Sequence, residues 1–210
     1  MTAVQVRPAS ARIRNQSQPV GVPDLMVREI VIWPDPILKE VANPVERVDD
    51  SIRRLLDDMA ETMYAADGVG LAAPQIAVLK RVIVIDTSPR QEGQKLIHLV
   101  NPEIVRAEGE TTWTEGCLSI PGEAEDVARA AKVWVRALDY HGKPFELEAD
   151  ELLAIAVQHE TDHLNGTLFV DHLSSLKREL IRKRMKKLKT QRAEEAARAV
   201  RDAPKHETAL

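Results

Sequence analysis

Cysteine is almost missing from this 210-residue chain, with Cys117 the only one. An internal disulfide is therefore excluded, and Cys117 is left as a buried small residue, a reactive thiol or a metal ligand. Aromatic residues make up 3% of the sequence against 44% hydrophobic residues, so the core has to be built from aliphatic side chains. No apolar run reaches the roughly 18 residues needed to span a bilayer, and no hydrophobic segment with a cleavage site follows the first residues. These absences predict a soluble, cytoplasmic protein with no membrane partner. The length suits one domain with extensions. Residues 1–24 contain Arg7, Arg12 and Arg14, several Ser, Gln and Pro, and no acid before Asp24. They read as a flexible leader, with an organellar transit peptide as the alternative.

What is present is organised by period. Residues 27–33 extend into the domain, and Pro34-Asp35-Pro36 turns the chain. Ile52, Leu55, Leu56, Met59 and Met63 recur at helical spacing from a cap at Asp50 or Ser51, and Gly68 ends the pattern. Val82-Ile83-Val84-Ile85 predicts a buried strand, and residues 96–105 predict two short apolar segments broken at Asn101-Pro102. Residues 133–140 alternate and resume at 145–148 after His141-Gly142-Lys143, which predicts a hairpin. A helix follows, opened by Asp150 as N-cap and stopped by Asn165-Gly166. The predicted fold is α+β, with short, mostly antiparallel strands packed around that central helix and a basic helix at the C-terminus. It divides into a leader (1–24), a catalytic domain (25–172), and a basic helix with a frayed tail (173–210).

The chemistry concentrates in His159-Glu160-Thr161-Asp162-His163. On a helix, positions i and i+4 share a face, so both imidazoles can reach one metal ion while Glu160 leans toward a water beside it. The bland alternative is a pair of satisfied core histidines. Burying two of them on one turn, next to Glu160 and Asp162, would be costly without a cation. A hydrolytic site needs a third protein ligand. Phe169 stands where one protease class places a third His. Glu179 falls in a strongly basic stretch, and His172 remains open. Cys117 is the better candidate, since Glu115-Gly116-Cys117-Leu118-Ser119 is a segment where the backbone can approach closely. A thiolate and two neutral imidazoles leave a dication one net positive charge, enough to acidify water. Gly68-Val69-Gly70-Leu71-Ala72-Ala73-Pro74-Gln75 is built of small residues that let a peptide backbone lie close, and it ends in an amide that can donate to a developing oxyanion, although taken alone a tight turn after a helix is the simpler account.

These three segments, in this order and spacing, resemble the peptide deformylase family from about residue 30 to residue 171. The resemblance implies removal of the formyl group from the initiator methionine of nascent chains, with ferrous iron as the usual metal and zinc, nickel or cobalt able to replace it. It implies Cys117, His159 and His163 as metal ligands, Glu160 as the catalytic acid/base, and the Gln75 amide with the Leu118 backbone N–H at the oxyanion. Val69, Gly70 and Ile155 match positions beside the methionine pocket and the peptide. Several family members carry Arg seven residues after the Cys, where this chain has Ala124; Arg129 is its next basic residue. A metallopeptidase would activate water identically, and a structural Cys/His₂ module would need neither Glu160 nor Gln75.

Beyond residue 171, Lys177, Arg178, Arg182, Lys183, Arg184, Lys186, Lys187, Lys189 and Arg192 face only Glu179 as an opposing charge. With Leu173, Leu176, Leu180, Met185 and Leu188 at roughly helical intervals, a basic amphipathic helix is expected. Its plain reading is a solvated helix packed on the domain. For a deformylase-like protein it implies docking on ribosomal RNA. Residues 192–210 are expected to fray.

Overall fold

The computed structural model describes residues 26–88 and 95–202, so the leader at 1–24 lies outside the described residues. Its first helix, α1 (Asp50–Ala65), is capped by Asp49, whose side chain accepts from Ser51 N at 3.0 Å and Ile52 N at 3.1 Å. The cap is one residue earlier than the spacing suggests, because Asp50 already turns with the helix.

Two short strands follow, β1 (Gly70–Ala72) and β2 (Val82–Ile85), then a long β3 (Ile97–Glu108). Among the described residues the hairpin β4 (Thr111–Cys117) and β5 (Ile120–Arg129) pairs only with itself. Next, β6 (Lys132–Leu138) and β7 (Pro144–Asp150) lead into α2 (Glu151–Leu164), and α3 (Ser175–Asp202) ends the described chain. All strand pairs are antiparallel, and the larger sheet has the order β1-β2-β3-β6-β7. The α+β class expected from the sequence holds.

β2 explains its own composition. Ile83 and Ile85 pack into the cluster that α2 closes with Ala154, Val157 and Leu164, while Val82 and Val84 join Leu56, Met59 and Met63 of α1. A strand buried on both faces carries an unbroken apolar run.

The break expected at Asn101-Pro102 is a bulge inside one strand. The β3–β6 register shifts between Val100 and Glu103, where Pro102 has no N–H to give. Asn101 turns outward with φ 52° and ties the chain to Val45 through two 2.8 Å hydrogen bonds. The opening of α2 also differs from expectation: Asp150 flanks the helix but its side chain makes no capping bond. Asp150 is still paired with Lys132 in the β7 ladder, which fixes its direction.

A third cluster joins Ile120 and Val127 of β5 to Phe169, Val170 and the buried Ile181 and Met185 of α3. The first half of α3 therefore packs on the domain. The helix continues past residue 192 to Asp202, where fraying was expected. Ala193, Glu194, Glu195, Ala196 and Ala197 are strong helix formers, and residues 203–210 lie outside the described residues.

Gly166 lets the chain leave α2, with φ +69°, and a Cβ there would collide with the Lys39 carbonyl oxygen. Gly166→Ala is expected to lose about 1–3 kcal/mol from the dihedral alone. The clash with backbone adds to that, and a urea midpoint reads the sum.

Candidate metal centre

Helical repeat brings His159 and His163 together, with ring centroids 5.1 Å apart at an interplanar angle of 70°. Cys117 arrives from the end of β4, where the register slips from Gly116↔Ala124 to Cys117↔Ile120 and turns the thiol toward α2. Its Sγ lies 3.3 Å from His163 Nε2, and one donor atom from each of the three residues lies within 4.8 Å of the others. On one tetrahedral ion at ordinary bond lengths a thiolate sulfur and an imidazole nitrogen stand about 3.6 Å apart, and two nitrogens about 3.4 Å. The donor set and spacing fit a divalent ion. Of the other candidate ligands, His172 bonds Asp162 at 2.8 Å, and Glu179 is exposed on α3 with Arg182 at 4.0 Å. Neither belongs to the cluster.

Around the donors runs a buried charge network that the sequence reading did not find. Glu115 lies two residues before Cys117 on β4, so both side chains leave the same face. Glu115 Oε2 accepts from His159 Nδ1 at 2.8 Å, which leaves Nε2 of that ring for an ion. Arg129 closes a fork on the same carboxylate, Nε to Oε1 at 2.7 Å and Nη2 to Oε2 at 3.0 Å, and sends Nη1 to Asp162 at 2.6 Å. Burial alone would raise the Glu115 pKa. The hydrogen bonds from His159 and Arg129 outweigh it and hold the group at about 2. Arg129, 7% exposed, is therefore a buried counter-ion and not a substitute for the Arg missing at Ala124. The alternating polar residues at 115 and 117 were the one available signal.

A cavity of about 580 Å³ opens onto the donors, with Val69, Gly70, Gln75, Ala124, Ile155 and Glu160 in its wall. Of these, Val69 is exposed and Ile155 buried. Gly68-Val69-Gly70 leads into β1, and a 3-10 turn at Ala73–Ile76 carries Gln75, so the segment is a strand edge rather than a tight turn. Gln75 is buried. Its Oε1 accepts from Ala72 N at 2.8 Å, while Nε2 lies 3.6 Å from Cys117 Sγ and 3.3 Å from Ser119 Oγ. Glu160 is buried too, its Oε2 has no hydrogen-bond partner among the described residues, and burial pushes its pKa up to about 7. A Cβ on Gly70 would stand 2.5 Å from Glu160 Oε1, so only glycine lets β1 lie against that carboxylate.

Residues 27–179 match the profile of the Polypeptide deformylase family. The chain belongs to that family. A peptide deformylase of Alkalilimnicola ehrlichii is 56% identical over 164 residues, covering 78% of this chain and 92% of that protein. One of Thermodesulfovibrio yellowstonii is 51% identical over 162 residues, 77% and 98% of the two. Among solved structures, a peptide deformylase from Legionella pneumophila is similar at a TM-score of 0.75 and 51% identity, covering 80% of this chain and 98% of that one. Another, from Ehrlichia chaffeensis in complex with actinonin, gives 0.74 and 41%, covering 77% and 97%. As a member, the chain is a hydrolase that removes the formyl group from nascent peptides.

Proposed function

We infer that this deformylase works on the initiator formyl-methionine of nascent chains through a divalent ion held by Cys117, His159 and His163. The observation that carries the reading is the convergence of those three donors, two of which, Cys117 and His159, share one cavity wall with Glu160 and Gln75. Ferrous iron is the proposed native metal, and zinc, nickel and cobalt suit the same N/S donors. When bound, the ion supplies a Lewis acid that brings the pKa of a water toward neutrality.

The chain's own residues do the rest. Glu160 accepts a proton from the attacking water and returns it to the leaving amine, so that formate and a free N-terminal methionine result. Gln75 Nε2 and the Leu118 backbone N–H donate to the oxygen that gains charge as the formyl carbon becomes tetrahedral. Val69, Gly70 and Ile155 hold the methionine end of the peptide. Gln75→Ala is expected to fold and to lose on the order of 10²-fold in turnover. Wild-type turnover in that variant would remove Gln75 from the oxyanion site.

Formate release from a formyl-methionyl peptide, with metal content measured on the same preparation, tests the whole reading. Internal cleavage of an unformylated peptide would point to a metallopeptidase instead. No helix among the described residues is long and apolar enough to cross a membrane. The proposed location is the cytoplasm, with residues 25–172 as the catalytic unit and residues 173–210 as an appendage for ribosomal RNA. On α3, Lys177 and Arg184 pair with Glu125 and Glu123, whereas Lys183, Lys186, Lys187 and Arg192 make no ion pair among the described residues. Lys183, Lys186 and Lys187 share one side of the helix and should bind RNA with an affinity that falls steeply with salt.

A further inference from the structure

His172 takes no part in holding the ion, yet it ends a continuous chain of hydrogen bonds that starts on a metal ligand. From His159 the chain passes to Glu115, to Arg129 and to Asp162, and His172 Nε2 donates to Asp162 Oδ2 at 2.8 Å. Five side chains from four elements are involved: β4, β5, α2 and the 3-10 turn Phe169–His172. The turn after α2 sets the geometry, since Thr167 N bonds the Asp162 carbonyl at 2.9 Å and folds the chain back over it.

Burial falls along this chain. The Glu115 and Arg129 side chains are 2% and 5% exposed, Asp162 22% and His172 37%. Asp162 is thus the one carboxylate of the network that water can draw away. Arg129 Nη1 and His172 Nε2 converge on the same Asp162 oxygen, so His172 holds that carboxylate in the rotamer Arg129 needs. Without it, a buried guanidinium N–H loses its acceptor, and the fork re-aims to find another. The Glu115 carboxylate, and the imidazole ring it orients, would follow.

We propose that His172 is a positioning residue for the metal ligand His159, acting from the surface through Asp162, Arg129 and Glu115. The proposal rests on the reading of Cys117, His159 and His163 as ligands. It also gives a use to the histidine that the sequence leaves as a spare ligand.

The test uses the full chain loaded with cobalt(II), whose visible absorption reports ligand geometry, and follows cobalt loss to excess EDTA. His172→Ala should release cobalt roughly tenfold faster, near the low end for loss of a partner outside the ligand shell, with a shifted absorption band. His172→Gln, whose amide N–H can reach the same oxygen, should stay close to wild type in both. Unchanged release and spectrum in His172→Ala would overturn the proposal, as would His172→Gln behaving like His172→Ala. A wild-type chain that takes up no cobalt sinks the metal centre and this chain of contacts together. Wild-type protein that binds cobalt and releases no formate refutes only the proposed function.

Discussion

Glu160→Ala is expected to bind its metal at wild-type stoichiometry and to lose formate release by on the order of 10⁴-fold, the upper end for a lost acid/base group. The upper end applies because one carboxylate serves both proton transfers. Glu160 stands outside the donor triad, lines the cavity and has an Oε2 without a hydrogen-bond partner among the described residues. Burial pushes its pKa to about 7, which places it where a carboxyl can accept a proton and return it near neutral pH. Metal analysis beside a formate assay checks both halves of the expectation. A variant that loses its metal would make Glu160 a ligand, and one that keeps its turnover would leave the proton transfers to another group.

Arg129→Met should produce the largest loss of stability, about 3–5 kcal/mol, because it leaves a buried carboxylate without its cation. Arg129 makes three charged hydrogen bonds, two to Glu115 and one to Asp162. Glu115, held at about 2 against an ordinary 4.5, contributes stability that is fully present above pH 4.5 and lost as the pH falls toward 2. Without the guanidinium the folded-state pKa rises, so the acid limb of the stability curve should move to higher pH. Urea unfolding of parent and variant at a series of pH values reads both effects. An acid limb that stays in place would mean that His159 alone holds Glu115 down.

Both variants leave the hydrophobic core untouched, which separates their effects from ordinary packing loss. Neither Glu160 nor Arg129 belongs to any of the three hydrophobic clusters. Within the site, Gly70 is where packing and chemistry meet, because the missing Cβ is what allows Glu160 to sit against β1. The glycine-rich segment read from sequence as room for a peptide is therefore also room for the carboxylate.

Periodic features were legible because each lies within one element or between two consecutive strands. The i, i+4 histidines, the apolar run of β2, the β6–β7 hairpin and the α1 stripe are all local patterns. The β4–β5 hairpin escaped, since residues 111–129 are mostly polar and place only a thin apolar edge, Ile120 and Val127, in the third cluster. Its strand character comes from pairing with itself and from the helix and turn packed against it. The helical course of residues 192–202 was under-read for the opposite reason: intrinsic propensity was enough there without any apolar stripe.

By itself the sequence determined the kinds of donor atom, the four-residue spacing that puts two imidazoles on one face, and the resemblance that names the reaction. Only the tertiary structure decided how the single thiol meets those rings, that Arg129 lies buried between Glu115 and Asp162, and that His172 closes that network from outside. The reason is physical: spacing along a helix or strand fixes which side chains share a face, whereas contacts 14, 33 and 46 residues apart exist only once separate elements have packed.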